Sequence, residues 1–240
     1  ARKLESIGIL AGGIGHDYNN ILSVILGNLG LCKRMLEPDH GVQELLNSAL
    51  EAADRARDLT EKLLLFTHRE RPSPGMARIP ELFKDVRFEE TLRAEIDLHV
   101  NFQQGLFTVK IIPDHLKVIL QNLLINADNC MPEGGWVTVT GYNAIVLEED
   151  IPGLASGKYV EIEVTDNGSG IEQEILDYIF DPYFTTKNRD SNKGIGLGLA
   201  LVHVIVKKNH GSIRVRPGSD GGTVFTVLLP AVEDDITLSS

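Results

Sequence analysis

Ala11–Asn20 reads AGGIGHDYNN, one histidine with an acid directly after it and an asparagine four residues on. Apolar residues approach it at spacings of three and four (Leu4, Ile7, Ala11, Ile14) and continue beyond it (Tyr18, Ile21, Ile25, Cys32, Met35), with only Asn28 interrupting. That period is a heptad seam on one long helix. With the seam at positions a and d, His16 falls outward, two residues past Ile14. Asn20 shares its face one turn on, and Asp17 stands beside it. For a lone surface histidine the ordinary reading is a solvated side chain, and the rest of the chain decides whether that holds here.

The first helix is expected from about Leu4 to Leu36, where Glu37-Pro38-Asp39 stops it. A second seam follows Gly41: Val42, Leu45, Ala49, Ala52, Ala56, Leu59, Leu63 and Phe66. Leu10, Leu22, Leu46, Leu50 and Leu64 lie off the seams and widen the apolar stripe. Two such helices, antiparallel across a short turn, bury only part of these stripes. Dimerisation into a four-helix bundle is the simplest remedy, and cover by a second domain is the alternative. Gly8, Gly12, Gly13 and Gly15 weaken the helix just ahead of His16, which points to a bend. A phosphate loop is rejected there, because no Gly-Lys-Ser/Thr follows and no strand precedes.

The chain has 240 residues and a net charge of −11, which disfavours a nucleic-acid partner. Two cysteines, Cys32 and Cys130, make no disulfide framework and point to a reducing, cytoplasmic setting. The longest apolar run, near Ile21–Leu31, is broken by Gly27, Asn28 and Gly30, so no direct membrane contact is expected. The chain opens ARKLES without methionine and reads as part of something longer. Pro72, Pro74, Gly75 and Pro80 mark a linker. The expected organisation is a helical hairpin over 1–70, a linker over 71–80 and an α/β domain over 81–232.

In that domain Glu81–Glu90 reads as a helix, and Ile96–Phe102 and Phe107–Ile112 read as strands. Asp114 is expected to cap a helix running to about Met131. One face of that helix carries Asn122, Asn126 and Asn129, spaced four and three. Asparagine is a poor helix former, so three on one stripe favour a ligand-facing surface over a solvated one. Strands are expected over Trp136–Tyr142 and Tyr159–Thr165, with a loop over Leu147–Lys158. The second strand runs into Asp166-Asn167-Gly168-Ser169-Gly170, an acceptor at a strand end followed by glycines that allow close backbone approach. Phe180-Asp181-Pro182-Tyr183-Phe184 gathers three of the chain's few aromatics. A polar stretch from Asn188 to Lys193 then leads to Gly194-Ile195-Gly196-Leu197-Gly198-Leu199-Ala200, which opens a helix to about Asn209. Glycines at a helix start expose N–H groups to an anion. Ser212–Arg216 and Thr223–Leu229 close the sheet as a hairpin.

Taken together and in this order, these motifs resemble the catalytic core of the two-component sensor histidine kinases. GGIGHDYNNIL is similar to the family's H box, Asn122–Ala127 to its N box, DNGSG to its G1 box, FDPYFTTK to its F box and GIGLGLA to its G2 box. Gly15, Asn129, Cys130 and Ile195 depart from the residues usual there, and none removes a group the chemistry needs. The likeness spans about residues 4–230. It implies an α+β chain: an N-terminal antiparallel hairpin dimerising into a four-helix bundle, then a Bergerat-type (GHKL) α/β sandwich. It implies ATP and Mg²⁺ as cofactors, a homodimer, and a response-regulator receiver domain as partner.

The resemblance also implies residue roles. His16 attacks the γ-phosphate, and Asp17 holds the proton on its other ring nitrogen. Asn20 matches the position that orients water for regulator dephosphorylation. Asp166 accepts from the adenine amine, supported by Thr223, with Gly168, Gly170 and Ile171 around it. Asn126 binds the metal, Asn122 lies within reach of the phosphates or the metal shell, and Asn129 belongs with the ATP-binding residues. Lys187 and Lys193 flank a lid, and Gly194, Gly196, Leu197 and Gly198 let the lid and helix start approach phosphate. Two rival readings stay open, an ATPase of the gyrase and heat-shock type and an adaptor that only dimerises and docks.

Overall fold

A computed structural model describes residues 2–36, 42–65, 75–148, 150–186, 196–218 and 221–232. Of the side chains in the first two helices, it describes those of residues 18, 20–36, 42–54, 56–57 and 60. The chain divides into two compact units, Ala1–Arg71 and Pro72–Ser240.

The first unit is a pair of helices, α1 (Arg2–Met35) and α2 (Gln43–Leu65). Lys33 and Arg34 in the last turn of α1 and Glu44 in the first turn of α2 each suit the local helix dipole. The Gln43 side chain donates to the carbonyls of Lys33 and Leu36, both at 3.2 Å, so the start of α2 caps the end of α1. Leu22, Ala53 and Thr60 are the buried residues among those described in this pair. The seam lies elsewhere: Tyr18 is 56% exposed, Ile21 58%, Ile25 42% and Leu45 70%. Leu22, expected off the seam, is therefore the residue buried between the helices. A stripe of period 3.6 reaches around more than one contact, and the hairpin uses the flank of the stripe while its centre stays uncovered within one chain.

In the second unit α3 (Ile79–Asp85) is followed by a 3₁₀ turn, Phe88–Thr91. The strands are β1 (Ile96–Phe102), β2 (Thr108–Val109), β3 (Gly135–Val146), β4 (Gly157–Asp166), β5 (Ser212–Pro217) and β6 (Thr223–Val232). The remaining helices are α4 (Pro113–Cys130) and α5 (Gly198–Lys208). The sheet runs β1-β3-β4-β6, with β1 parallel to β3 and the other pairs antiparallel. The far edge of β6 is shared by β5 and then β2. Register places Val139, Val164 and Phe225 side by side on one face. That face packs with Ile119, Leu120, Leu123 and Leu124 of α4 and Leu201, Val202, Ile205 and Val206 of α5, all essentially inaccessible. Each such side chain contributes about 1.5–3 kcal/mol. The opposite face is mixed: Glu163 accepts from Arg216 at 3.1 Å and from Thr226 at 3.2 Å, and Val146, Tyr159 and Leu228 form a small buried apolar cluster there.

Several expected boundaries move. Residues 77–80 are not linker. Ala77 exchanges backbone bonds with Val109 at 2.9 Å, Ile79 is fully buried, and Pro80 sits in the first turn of α3, where its missing N–H costs nothing. The helix expected over Glu81–Glu90 breaks at Val86, and the strand expected over Phe107–Ile112 shrinks to Thr108–Val109. Asp114 does not cap α4. The cap position is Ile112, without a side-chain bond, and Pro113 opens the helix with Asp114 in its first turn. Strands β3 and β4 run longer than expected because the hairpin between them stays paired to Val146–Gly157.

Candidate nucleotide site

Alternation along β4 explains why a carboxylate is buried. Val160, Ile162, Val164 and Asp166 share the helix-covered face, so the last of them carries its acid into the edge of the core. Asp166 is 2% exposed. Its Oδ1 accepts the N–H of Gly168 at 2.9 Å and the N–H of Thr223 at 3.2 Å. No described residue takes its Oδ2. Burial raises the Asp166 carboxyl above its ordinary value, and the two N–H groups pull it partly back.

Close backbone packing forms the walls of this cradle. A Cβ on Gly168 would lie 2.7 Å from the Cys130 carbonyl oxygen, and Ser169 donates to that same oxygen at 3.1 Å. Gly170, at φ +75°, faces the Gly222 carbonyl. Gly222, at φ +73°, leaves no room for a side chain, because its Cβ would fall onto the Asp166 carbonyl oxygen. Gly222→Ala is therefore expected to cost at least about 1 kcal/mol from backbone handedness alone. It should also push the Asp166 strand end out of place, and thermal melting with and without ATP measures both effects.

Helix α4 joins this cradle to the start of α5. Asn122 donates from Nδ2 to the Val118 carbonyl at 2.8 Å, and its Oδ1 lies 2.9 Å from where a Cβ on Gly198 would stand. The next turn of the helix carries Asn126, whose Nδ2 is buried with no partner among the described residues. Thr223 Oγ1 is likewise buried and unpartnered. Asn129 is partly buried on the same helix, and Ile171 is partly buried just past the cradle glycines. An orphaned hydroxyl on Thr223 next to the Asp166 carboxylate, and an orphaned amide on α4, fit a polar ligand carrying both donors and acceptors. The residues present therefore suit a nucleotide such as ATP.

The aromatic segment docks against α5. Phe180 stacks on His203 with centroids 5.4 Å apart, and Tyr178 stacks on Phe184 at 6.3 Å. The Tyr183 N–H donates to the Gly196 carbonyl at 2.8 Å. Gly196, at φ +73°, meets Phe184 so closely that a Cβ would lie 2.6 Å from its carbonyl oxygen. Leu197 is buried at the cap position of α5. Lys187, Lys193 and Gly194 lie outside the described residues. His16 and Asp17 fall within α1, but their side chains also lie outside those described, while Asn20 is exposed on the same helix. Gly222 and the carbonyl of Cys130 were not anticipated as parts of the site. The glycine pair in Ser219-Asp220-Gly221-Gly222 was the available signal for the first, and nothing local marked the second.

Comparison with known proteins agrees with this geometry. Residues 6–72 match the His Kinase A (phospho-acceptor) domain. Residues 111–233 match the histidine kinase-, DNA gyrase B- and HSP90-like ATPase family. Sensor kinase CckA of Brucella abortus (strain 2308) is 32% identical over 98% of this chain and 25% of its own length. Sensor histidine kinase ZraS of Escherichia coli (strain K12) is 33% identical over 95% of this chain and 46% of its own. Full-length ShkA, solved in complex with AMPPNP, shares the fold with a TM-score of 0.73 at 21% identity, over 94% of this chain and 46% of that one. The chain belongs to the family of histidine kinase-, DNA gyrase B- and HSP90-like ATPases, and the phospho-acceptor domain ahead of its ATPase domain makes it a sensor histidine kinase catalytic core. It spans between a quarter and about half of the two curated relatives named here. Among the described residues, no helix is long and apolar enough to cross a membrane.

Proposed function

We propose that this chain binds Mg-ATP in the Asp166 cradle, transfers the γ-phosphoryl group to His16, and hands it to an aspartate of a response-regulator receiver domain. The observation that carries the reading is the buried Asp166, whose Oδ2 has no described partner, next to Thr223 with its unpartnered hydroxyl, with a second unpartnered amide at Asn126 on α4. Asp166 Oδ2 accepts a hydrogen bond from the adenine amine. Guanine puts a carbonyl there, and two acceptors would face each other. Thr223 Oγ1 completes the adenine edge. Asn126 would supply its side-chain oxygen to magnesium. Bound magnesium offsets the charge of the phosphates. The exposed N–H groups at the start of α5 receive the phosphate chain, aided by the helix dipole.

In the transfer, one imidazole nitrogen of His16 bonds to the γ-phosphorus as the bond from phosphorus to the bridging oxygen breaks, and ADP leaves with that oxygen. Asp17 holds the proton on the second nitrogen, which keeps the attacking nitrogen unprotonated. The uncovered seam of Tyr18, Ile21, Ile25 and Leu45 supports a homodimer through the hairpin, since an apolar stripe of that length calls for a partner. ATP labelled at the γ-phosphate tests the reading against its rivals. Label on the protein supports it, free phosphate alone supports an ATPase, and neither supports an adaptor.

Asp166→Asn separates the cradle's two properties. Because burial raises the Asp166 carboxyl, the ligand-free native state holds its proton more tightly than the unfolded chain does. That stabilisation is complete below the ordinary 3.8 and is lost as pH rises through the raised value. Above that raised value the ionised acid is a net cost to the ligand-free fold. The substituted amide would keep the Oδ1 acceptor without the charge, so Asp166→Asn should melt no lower than wild type. It would also set an N–H donor against the adenine amine, so ATP should no longer raise the variant's melting temperature. A variant stabilised by ATP as strongly as wild type would contradict this role.

A further inference from the structure

We propose that Arg93 is a positioning residue for the nucleotide cradle, acting through the C-terminal end of α4; this rests on the reading that the cradle takes ATP. Arg93 lies between the 3₁₀ turn and β1, and nearly all of its donors converge on one turn of chain. Nε bonds Asp128 Oδ1 at 3.1 Å, and one terminal nitrogen bonds the carbonyls of Asp128 at 2.9 Å and Met131 at 2.7 Å. The other terminal nitrogen bonds the Pro132 carbonyl at 3.1 Å. The Arg93 backbone N–H also donates to Asp128 Oδ1, at 3.0 Å.

A helix C-terminus leaves carbonyls without intrahelical partners and carries partial negative charge. Helix α4 has no basic residue in its last turn, and its cap position is Met131 rather than a glycine. The cation that satisfies this end therefore comes from 35 residues upstream. Its rigid fork matches a carboxylate and several carbonyls at once, which a lysine ammonium cannot do.

The same turn holds the cradle on its other side. Cys130, between Asp128 and Met131, gives its carbonyl to Ser169 and lies against Gly168. Just beyond, the Trp136 N–H donates to Asn167 Oδ1 at 2.8 Å. Gly168 in turn donates to Asp166. Without the guanidinium, the carbonyls of Asp128, Met131 and Pro132 lose a charged donor and the mostly buried Asp128 carboxylate loses its ion pair, and the turn loosens. The wall that fixes Ser169 and Gly168 loosens with it. Arg93 itself touches no nucleotide.

Amide hydrogen exchange and ATP titration of the full chain test this. In Arg93→Ala the Ser169 and Gly168 amides should exchange about tenfold faster while the Val139 and Val164 amides at the sheet centre hold. The Kd and KM for ATP should rise about tenfold with kcat little changed, equivalent to about 1.4 kcal/mol. Arg93→Lys should recover only part of this and gives the decision if the alanine variant does not fold. Arg87→Ala, which removes an exposed ion pair with Glu90, should change neither readout. Unchanged Ser169 exchange, or equal acceleration at Ser169 and Val139, overturns the inference. If the wild-type chain binds no ATP, the ATP reading fails, while Ser169 exchange still decides the role of Arg93.

Discussion

Asn126→Ala is expected to reduce magnesium-dependent phosphoryl transfer from ATP by at least about 100-fold, because small losses of position at a reacting phosphate have large kinetic effects. Asn126 lies on α4 between residues that pack the core at Leu123, Leu124 and Ala127. A polar amide there, with one buried atom unsatisfied, costs the ligand-free fold free energy. Alanine removes that cost and raises helix propensity, so Asn126→Ala should melt at or above the wild-type temperature. The expected signature is a protein that is no less stable and nearly inactive. Nucleotide binding should also lose most of its dependence on magnesium. Titrating ATP with and without magnesium checks this, and normal labelling by the variant would remove Asn126 from the metal site.

His16→Gln should abolish labelling altogether. Glutamine keeps a polar side chain of similar reach on α1 but carries no nucleophilic imidazole. Since His16 is expected outside the apolar seam, the dimer should persist, and sedimentation measures it in the same sample. Asp17→Asn should keep the fold and ATP binding and lose about 100-fold in rate, the usual scale for one general-base contribution. Labelling that survives in His16→Gln would assign the phosphoacceptor elsewhere.

What could be read from the residues alone depended on whether the signal was local. Strand β4 alternates strictly up to Asp166, and the glycines that follow allow either a turn or close backbone approach, so the cradle's floor was legible once the other motifs stood beside it. The asparagine stripe on α4 was legible for the same reason, as helix period plus an unfavourable residue type. The direction of the hairpin seam was not. A period of 3.6 marks which residues share a stripe, but Leu22 rather than Ile21 meets α2, and that choice depends on how two helices pack. Ala77 and Ile79 were hidden inside a proline-rich stretch, because the Val109 strand that pairs with Ala77 is distant in the chain. Arg93 gave no signal at all. An arginine before a strand is ordinary, and its meaning comes only from the carbonyls that α4 brings to it.

The most direct test of the central claim is the chemical stability of the label that wild-type chain takes from the γ-phosphate of ATP. Attack by an imidazole nitrogen forms a phosphorus–nitrogen bond, so the label should survive alkali and be lost in acid. Label that survives acid, as a phosphate ester of serine or threonine would, contradicts phosphorylation of His16.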